Sequence, residues 1–173
     1  KSKTVFYQEL PFPFEDNEFD YIICSHVLEH VPVEELEYFL EELFRVAKRG
    51  FVEFPNLFYE LVNHQKVHVN YMIYDGDRVK VLPKESLFNG PVETFFRKVF
   101  YSNKENSKNF SIHREAFFDG FEWENRFDLE VVDDFVELMS PKYISQKMSS
   151  ISEVIAPTRT FSKNSNEPRK TLF

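Results

Sequence analysis

The feature that most constrains this chain is an apolar tetrapeptide, Tyr21-Ile22-Ile23-Cys24, followed at short distance by a helical pattern and a second apolar run. Four apolar residues without alternation read as a strand of a parallel sheet covered on both faces. Glu15-Asp16-Asn17-Glu18 before it is turn chemistry. From Pro32 or Val33 a helix is expected, because Val33, Leu36, Leu40, Leu43 and Ala47 recur at three- and four-residue steps. Phe39, Phe44 and Val46 widen that face. Pro32 suits the first turn, Glu34 and Glu35 the positive end of the helix dipole, and Lys48 and Arg49 its negative end. Gly50 is then expected as a left-handed helix stop, and Phe51-Val52-Glu53-Phe54 as the next strand. Strand, helix and strand with short links form a βαβ unit, whose crossover is right-handed. The fold class is therefore α/β. In open sheets of this class, ligands sit at the carboxyl ends of the strands. That position falls on Ser25-His26-Val27-Leu28-Glu29-His30.

The same stretch resembles the C-terminal half of the core of class I S-adenosylmethionine-dependent methyltransferases, in the methyltransferase type 11 group. The resemblance is carried by Leu10-Pro11-Phe12, Asp16-Asn17, Phe19-Asp20, Ser25 to His30, and Glu42 to Gly50, in that order and spacing. It implies a Rossmann-like methyltransferase sheet, S-adenosyl-L-methionine as cofactor, and methyl transfer by in-line displacement. In that family the loop after the fourth strand, here Cys24, Ser25 and His26, lies near the methionine part of the cofactor. An acid before Leu-Pro-Phe lies near the adenine. The nearby acid here is Glu9, with Leu10 beside it. The end of the following strand helps form the substrate mouth, which makes Asn56 a candidate contact; a plain polar turn after Pro55 is the bland reading.

Family members also carry a strand, a glycine-rich turn and a helix that cradle the cofactor. The four glycines here, Gly50, Gly76, Gly90 and Gly120, are far apart. The sheet is thus expected to be N-terminally incomplete, with Thr4 to Tyr7 as a short strand and weak or absent activity of the chain alone. An open sheet edge would invite self-association. The methyl acceptor is unknown, with a small molecule favoured. Because methyl transfer rests largely on holding two partners in line, no universal catalytic residue carries over. His26 is the candidate base.

Two other classes fit parts of the pattern. A methyltransferase-like binding module without activity accounts for the missing glycine turn. His26-x-x-Glu29-His30 also spells an inverted zinc-peptidase motif, in which both histidines would share a helical face. Pro32 lies where that helix would have to continue. No metal ligand is assigned.

Beyond Pro55, Leu57 to Val62 reads as a short helix. His68 to Tyr74 and Asp77 to Leu82 around Asp75-Gly76 read as a β-hairpin, an insertion at about 67–82. Alternation of Val69, Tyr71 and Ile73 with Asn70, Met72 and Tyr74 predicts one packed face and one facing solvent or substrate. Pro91 to Tyr101 has helical spacing, Ser102 to Ser107 reads as a loop, and Ile112 to Phe118 as a short helix. Phe121 to Glu124 leads into Asp128 to Val136, expected as a late strand of the sheet. The domain reading is a partial methyltransferase domain at 1–139, a weakly structured segment at 140–156, with a weak helix from Ile144 to Ile155, and a disordered basic tail at 157–173.

Of 173 residues, 42% are hydrophobic and 21 are Phe, enough for a bulky core. A net charge of -8 argues against general nucleic-acid binding. One cysteine excludes an internal disulfide. No run is long and apolar enough to span a membrane, and a cytoplasmic location is the default expectation.

Overall fold

The structure is a computed structural model, and it describes residues 9–63, 65–84 and 114–155. The expectations for Thr4 to Tyr7, Pro91 to Tyr101, Ser102 to Ser107 and the tail at 157–173 lie outside the described residues.

The βαβ unit consists of β1 (Ile22–Ser25), α1 (Val33–Val46) and β2 (Arg49–Pro55). Strands β1 and β2 are parallel, with Ile22 opposite Gly50 and Ser25 opposite Glu53. Leu36, Leu40, Leu43, Phe44 and Val46 of α1 are buried, as their spacing requires. Two details differ from the sequence reading. The helix ends at Val46, with Ala47 already extended and its N–H bonded to the Leu43 carbonyl at 3.2 Å. Lys48 and Arg49 therefore lie outside it, and Gly50 is a strand residue, not a stop. A glycine is required there for a different reason: a Cβ on Gly50 would lie 2.4 Å from the Ile22 carbonyl oxygen. Second, β1 is not covered on both faces. Among the described residues it is an edge strand of the order β1-β2-β5, and Ile23 is 68% exposed.

The loop before β1 is held by Arg45. Its guanidinium donates to Glu42 at 2.7 and 2.8 Å, to the Phe12 and Phe14 carbonyls, and to Asp16. Glu42 in turn accepts from the Phe12 N–H at 2.7 Å. Arginine's planar fork holds five N–H donors on three nitrogens in fixed directions, where a lysine has three donors on one atom.

After β2 come α2 (Leu57–Asn63), the hairpin β3 (Asn70–Tyr74) and β4 (Arg78–Pro83), α3 (Arg114–Phe117), β5 (Phe118–Glu124), β6 (Asp128–Val131), α4 (Phe135–Leu138) and α5 (Pro141–Ile155). The hairpin turns one residue later than the Asp-Gly pair suggests. Asp75 and Arg78 close it through a backbone bond of 3.2 Å, leaving Gly76-Asp77 as the loop. Gly76 takes φ 95, which glycine adopts without steric cost. The Asp75 carboxylate accepts from the Asp77 and Arg78 N–H groups.

Both faces of the hairpin are packed, which corrects the one-sided expectation. Met72, Val79 and Val81 join the main core with α1 and β2. Tyr71, Ile73 and Leu82 join a second core with Leu57, Val132, Leu138 and Tyr143. Two apolar clusters meet across one small sheet, so alternation places residues on two faces without leaving either wet. The late strands also differ. The strand that extends the first sheet is β5, antiparallel to β2 over its whole length. Asp128–Val131 instead pairs in parallel with β4. The described residues thus form two three-stranded sheets, β1-β2-β5 and β3-β4-β6. Helix α5 runs fifteen residues from Pro141, starting before the weak helix expected from Ile144 to Ile155, and buries Tyr143.

Candidate functional site

At the carboxyl end of β1, His26 leaves the strand with φ 57. A left-handed backbone is uncommon for a residue with a Cβ, and such positions cluster where geometry is imposed by the site. Its N–H still bonds the Glu53 carbonyl at 2.9 Å, so the ladder with β2 carries the turn. The imidazole lies between two buried carboxylates. Nδ1 is 3.4 Å from Glu29 Oε1, and Nε2 is 3.4 Å from Glu53 Oε1. The ring packs edge-on against Phe118 at 5.2 Å. Burial outweighs the nearby Glu53 charge and holds the His26 pKa below its ordinary value.

Glu53 projects from β2 beside it. Ser25 Oγ donates to its carboxylate at 3.3 Å. Arg114 reaches it from α3, through Nη2 and, at 3.2 Å, through Nε. Glu53, Arg114, Phe118, Asp119, Tyr143 and Lys147 line a cleft of about 570 Å³. Asp119 on β5 is buried and pairs with Lys147, and its other oxygen accepts from the Tyr74 N–H at 2.8 Å.

Glu29, like Glu60, has no exposed surface. Neither of its carboxylate oxygens has a hydrogen-bond partner. Burial pushes its pKa up to about 7. Its Oε1 faces three rings: His26 Nδ1, His30 Nε2 at 3.9 Å and His68 Nε2 at 4.0 Å. His68 is anchored by Glu60, which also pairs with Lys84.

The residues singled out from the sequence are distributed unevenly. Ser25 and His26 stand at the strand end and meet Glu53. Cys24 is buried, its side chain in the main core, and burial pushes its thiol up to about 12. Glu9 is exposed and Leu10 half-buried at the start of the described chain. Asn56 is fully buried, and its amide is in use. It donates to the Ala116 carbonyl at 3.0 Å and to Asp119 at 3.2 Å, and accepts from the Tyr59 N–H at 3.2 Å. That last bond caps the start of α2.

Glu53, His68, Glu60 and Arg114 are the site residues that sequence reading missed. A charged residue inside the apolar run Phe51 to Phe54 was the one available signal for Glu53. His68 and Arg114 reach the site only through chain folding.

The peptidase reading is corrected by the backbone. Between Ser25 and Val33 the only regular structure is a single 3₁₀ turn, Leu28–His30. His26 lies outside it with a left-handed φ, so His26 and His30 do not share a helical face. Glu29 is buried rather than poised over an open site.

A comparison with family models matches residues 6–52 to the methyltransferase domain. Comparison with curated proteins finds no match, and comparison with solved structures finds none either. The matched stretch contains β1 and α1 and enters β2, with Ser25 and His26 at its strand end. Residues 6–52 are therefore similar to the methyltransferase domain family of the type 11 group.

Proposed function

We propose that this chain is the strand-end half of an S-adenosylmethionine-dependent methyltransferase that acts on a small molecule. The observation that carries the reading is the coincidence of the family match at 6–52 with a βαβ unit whose strand ends gather Ser25, His26 and Glu53. The backbone and side chains of Cys24, Ser25 and His26 would border the methionine part of the cofactor, and Glu9 and Leu10 its adenine. The cofactor, when bound, supplies an electrophilic methyl group. The chain's own part is to hold an acceptor in line with it and to exclude water.

The fit to the cofactor is partial. Among the described residues, Gly50, Gly76 and Gly120 lie in strands or in the hairpin turn, and no strand, glycine turn and helix unit is present to hold the nucleotide. The edge of β1 that is unpaired among the described residues, with Ile23 exposed, is where further strands or a second copy would add. The cleft between Glu53, Arg114 and Lys147 would take the acceptor. Its volume lies within the usual range of small-molecule sites, roughly 300–1,000 Å³, and Asn56 stiffens its wall through Asp119. With its pKa lowered, His26 is the base for an acceptor that must lose a proton. In the described residues no helix is long and apolar enough to cross a membrane, and a cytoplasmic setting is part of the proposal.

Calorimetric titration of the chain with S-adenosylhomocysteine tests this. Weak binding, abolished by His26→Ala or Ser25→Ala, is the expected result. No detectable binding at millimolar ligand by folded protein would instead make the chain a binding module built on a methyltransferase scaffold.

A further inference from the structure

The cluster around Glu29 does more than the methyl-transfer reading requires. His30 Nδ1 lies 3.0 Å from the Val67 carbonyl oxygen. A carbonyl only accepts, so this nitrogen carries a proton, and in the neutral ring Nε2 presents a lone pair. His68 Nδ1 faces the Glu60 carboxylate, and by the same argument its Nε2 is also a lone pair. Both Nε2 atoms lie near Glu29 Oε1, at 3.9 and 4.0 Å. One atom from each residue lies within 4.8 Å of the other two. Two imidazole nitrogens thus converge on a fully buried carboxylate without a hydrogen-bond partner, with His26 Nδ1 3.4 Å from the same oxygen. A water could donate to at most two of Glu29 Oε1, His30 Nε2 and His68 Nε2. A cation satisfies all three.

The donor set identifies the cation class. Two imidazoles and one carboxylate suit zinc and its first-row neighbours, whereas magnesium and calcium want oxygen. Ligand edges around tetrahedral zinc are about 3.3 Å, from Zn–N and Zn–O bonds of about 2.0–2.1 Å. The present 3.9 and 4.0 Å need only a small inward turn of the rings. The supporting groups are those of protein metal sites, where each ligating histidine gives its other nitrogen to a carbonyl or a carboxylate. The frame is fixed as well. The Val69 N–H bonds the Glu29 carbonyl at 2.8 Å, and Asn70 Nδ2 bonds the Val31 carbonyl at 2.7 Å.

We propose that Glu29, His30 and His68 form a divalent transition-metal site of the zinc type, joining the loop after β1 to the start of β3. Glu29 is then a ligand, not a base, and the site is distinct from a peptidase centre. Three protein ligands leave one position to water, and the His30 side chain is 42% exposed. The ion would link the two sheets, since Glu29 and His30 follow β1 and His68 leads into β3.

The test uses the untagged 173-residue chain, stripped with chelator and dialysed, and reads metal uptake rather than activity. Zinc titration by calorimetry should give one equivalent per chain, and magnesium none. Cobalt(II) should give visible ligand-field bands without a thiolate charge-transfer band. Glu29→Gln and His68→Ala should weaken zinc binding at least about 100-fold, and Glu60→Gln about 10–100-fold through loss of support. His30→Ala, at a half-exposed ring, serves as the ligand variant if His68→Ala fails to fold by circular dichroism. Absence of stoichiometric zinc uptake by folded wild-type chain would overturn the proposal in favour of a metal-free carboxylate–imidazole cluster. Unchanged affinity in the folded ligand variants, or a thiolate band from Cys24, would overturn the ligand set.

Discussion

Arg114 holds Glu53 from a different part of the chain, with Nη2 on both carboxylate oxygens and Nε 3.2 Å from one of them. Glu53 is 8% exposed at its side chain and Arg114 is 59% exposed. The pair therefore has one buried and one wet member. Removing the wet member leaves a buried carboxylate with only Ser25 and His26 beside it.

For Arg114→Ala the expected loss of stability is about 1–2 kcal/mol. That lies below the roughly 3–5 kcal/mol of a fully buried pair, because solvent already screens the arginine. Urea denaturation measures it. Arg114→Lys should recover part of the loss, since a single ammonium cannot reproduce the two-nitrogen contact. If both variants matched wild type, Glu53 would not depend on Arg114.

Gly50 and Gly120 rank differently. A Cβ on Gly50 would meet the Ile22 carbonyl at 2.4 Å, Ile22 Cγ2 at 2.7 Å and Trp123 Nε1 at 2.9 Å, with backbone on one side and an indole on the other. A Cβ on Gly120 would meet mainly the end of the Phe51 ring at 2.8 Å, and a side chain can move. Gly50→Ala should cost about 3 kcal/mol and Gly120→Ala about 1 kcal/mol. Thermal melts of the two variants should fall in that order; the reverse order would contradict the packing of β1 on β2.

Cys24 should be inert. Its thiol is buried, and burial first, then the Glu29 charge, pushes its pKa up to about 12. Because the raised value lies far above neutral, the reactive thiolate is scarce at pH 7 and stays scarce through pH 9. Alkylation by iodoacetamide at pH 8 should be at least about 100-fold slower in native protein than in urea. Equal rates would show that β1 opens freely.

What was legible beforehand follows from range. The βαβ unit could be read because its signals are local: an apolar run, a helical repeat and a second run within Tyr21 to Phe54. The helix end was misplaced at Gly50 because that glycine answers a contact with Ile22, a residue far off in sequence. The hairpin was visible in its turn chemistry. Its burial on two sides was not, since that depends on α2, α4 and α5 closing over Tyr71, Ile73 and Leu82. Asp128–Val131 carries a strand signal in its own residues, but choice of sheet is a pairing decision that no single strand encodes.

The candidate site divides in the same way. Ser25 and His26 could be named from sequence, because a strand end followed by polar residues is a local pattern with a known geometric meaning. So could the resemblance of residues 6–52 to a methyltransferase domain. The carboxylates and cations around them could not. Glu53 looks like an ordinary strand residue until Arg114 arrives from sixty-one positions away, and Glu29 looks like a helix-start acid until His68 and the hairpin bury it. Local propensity and periodicity write themselves into neighbouring residues, so the sequence alone determined the βαβ frame and the strand-end position of the site. Burial, charge pairing and ligand convergence depend on long-range closure of the chain, so only the tertiary structure decided which side chains share the site and in what state.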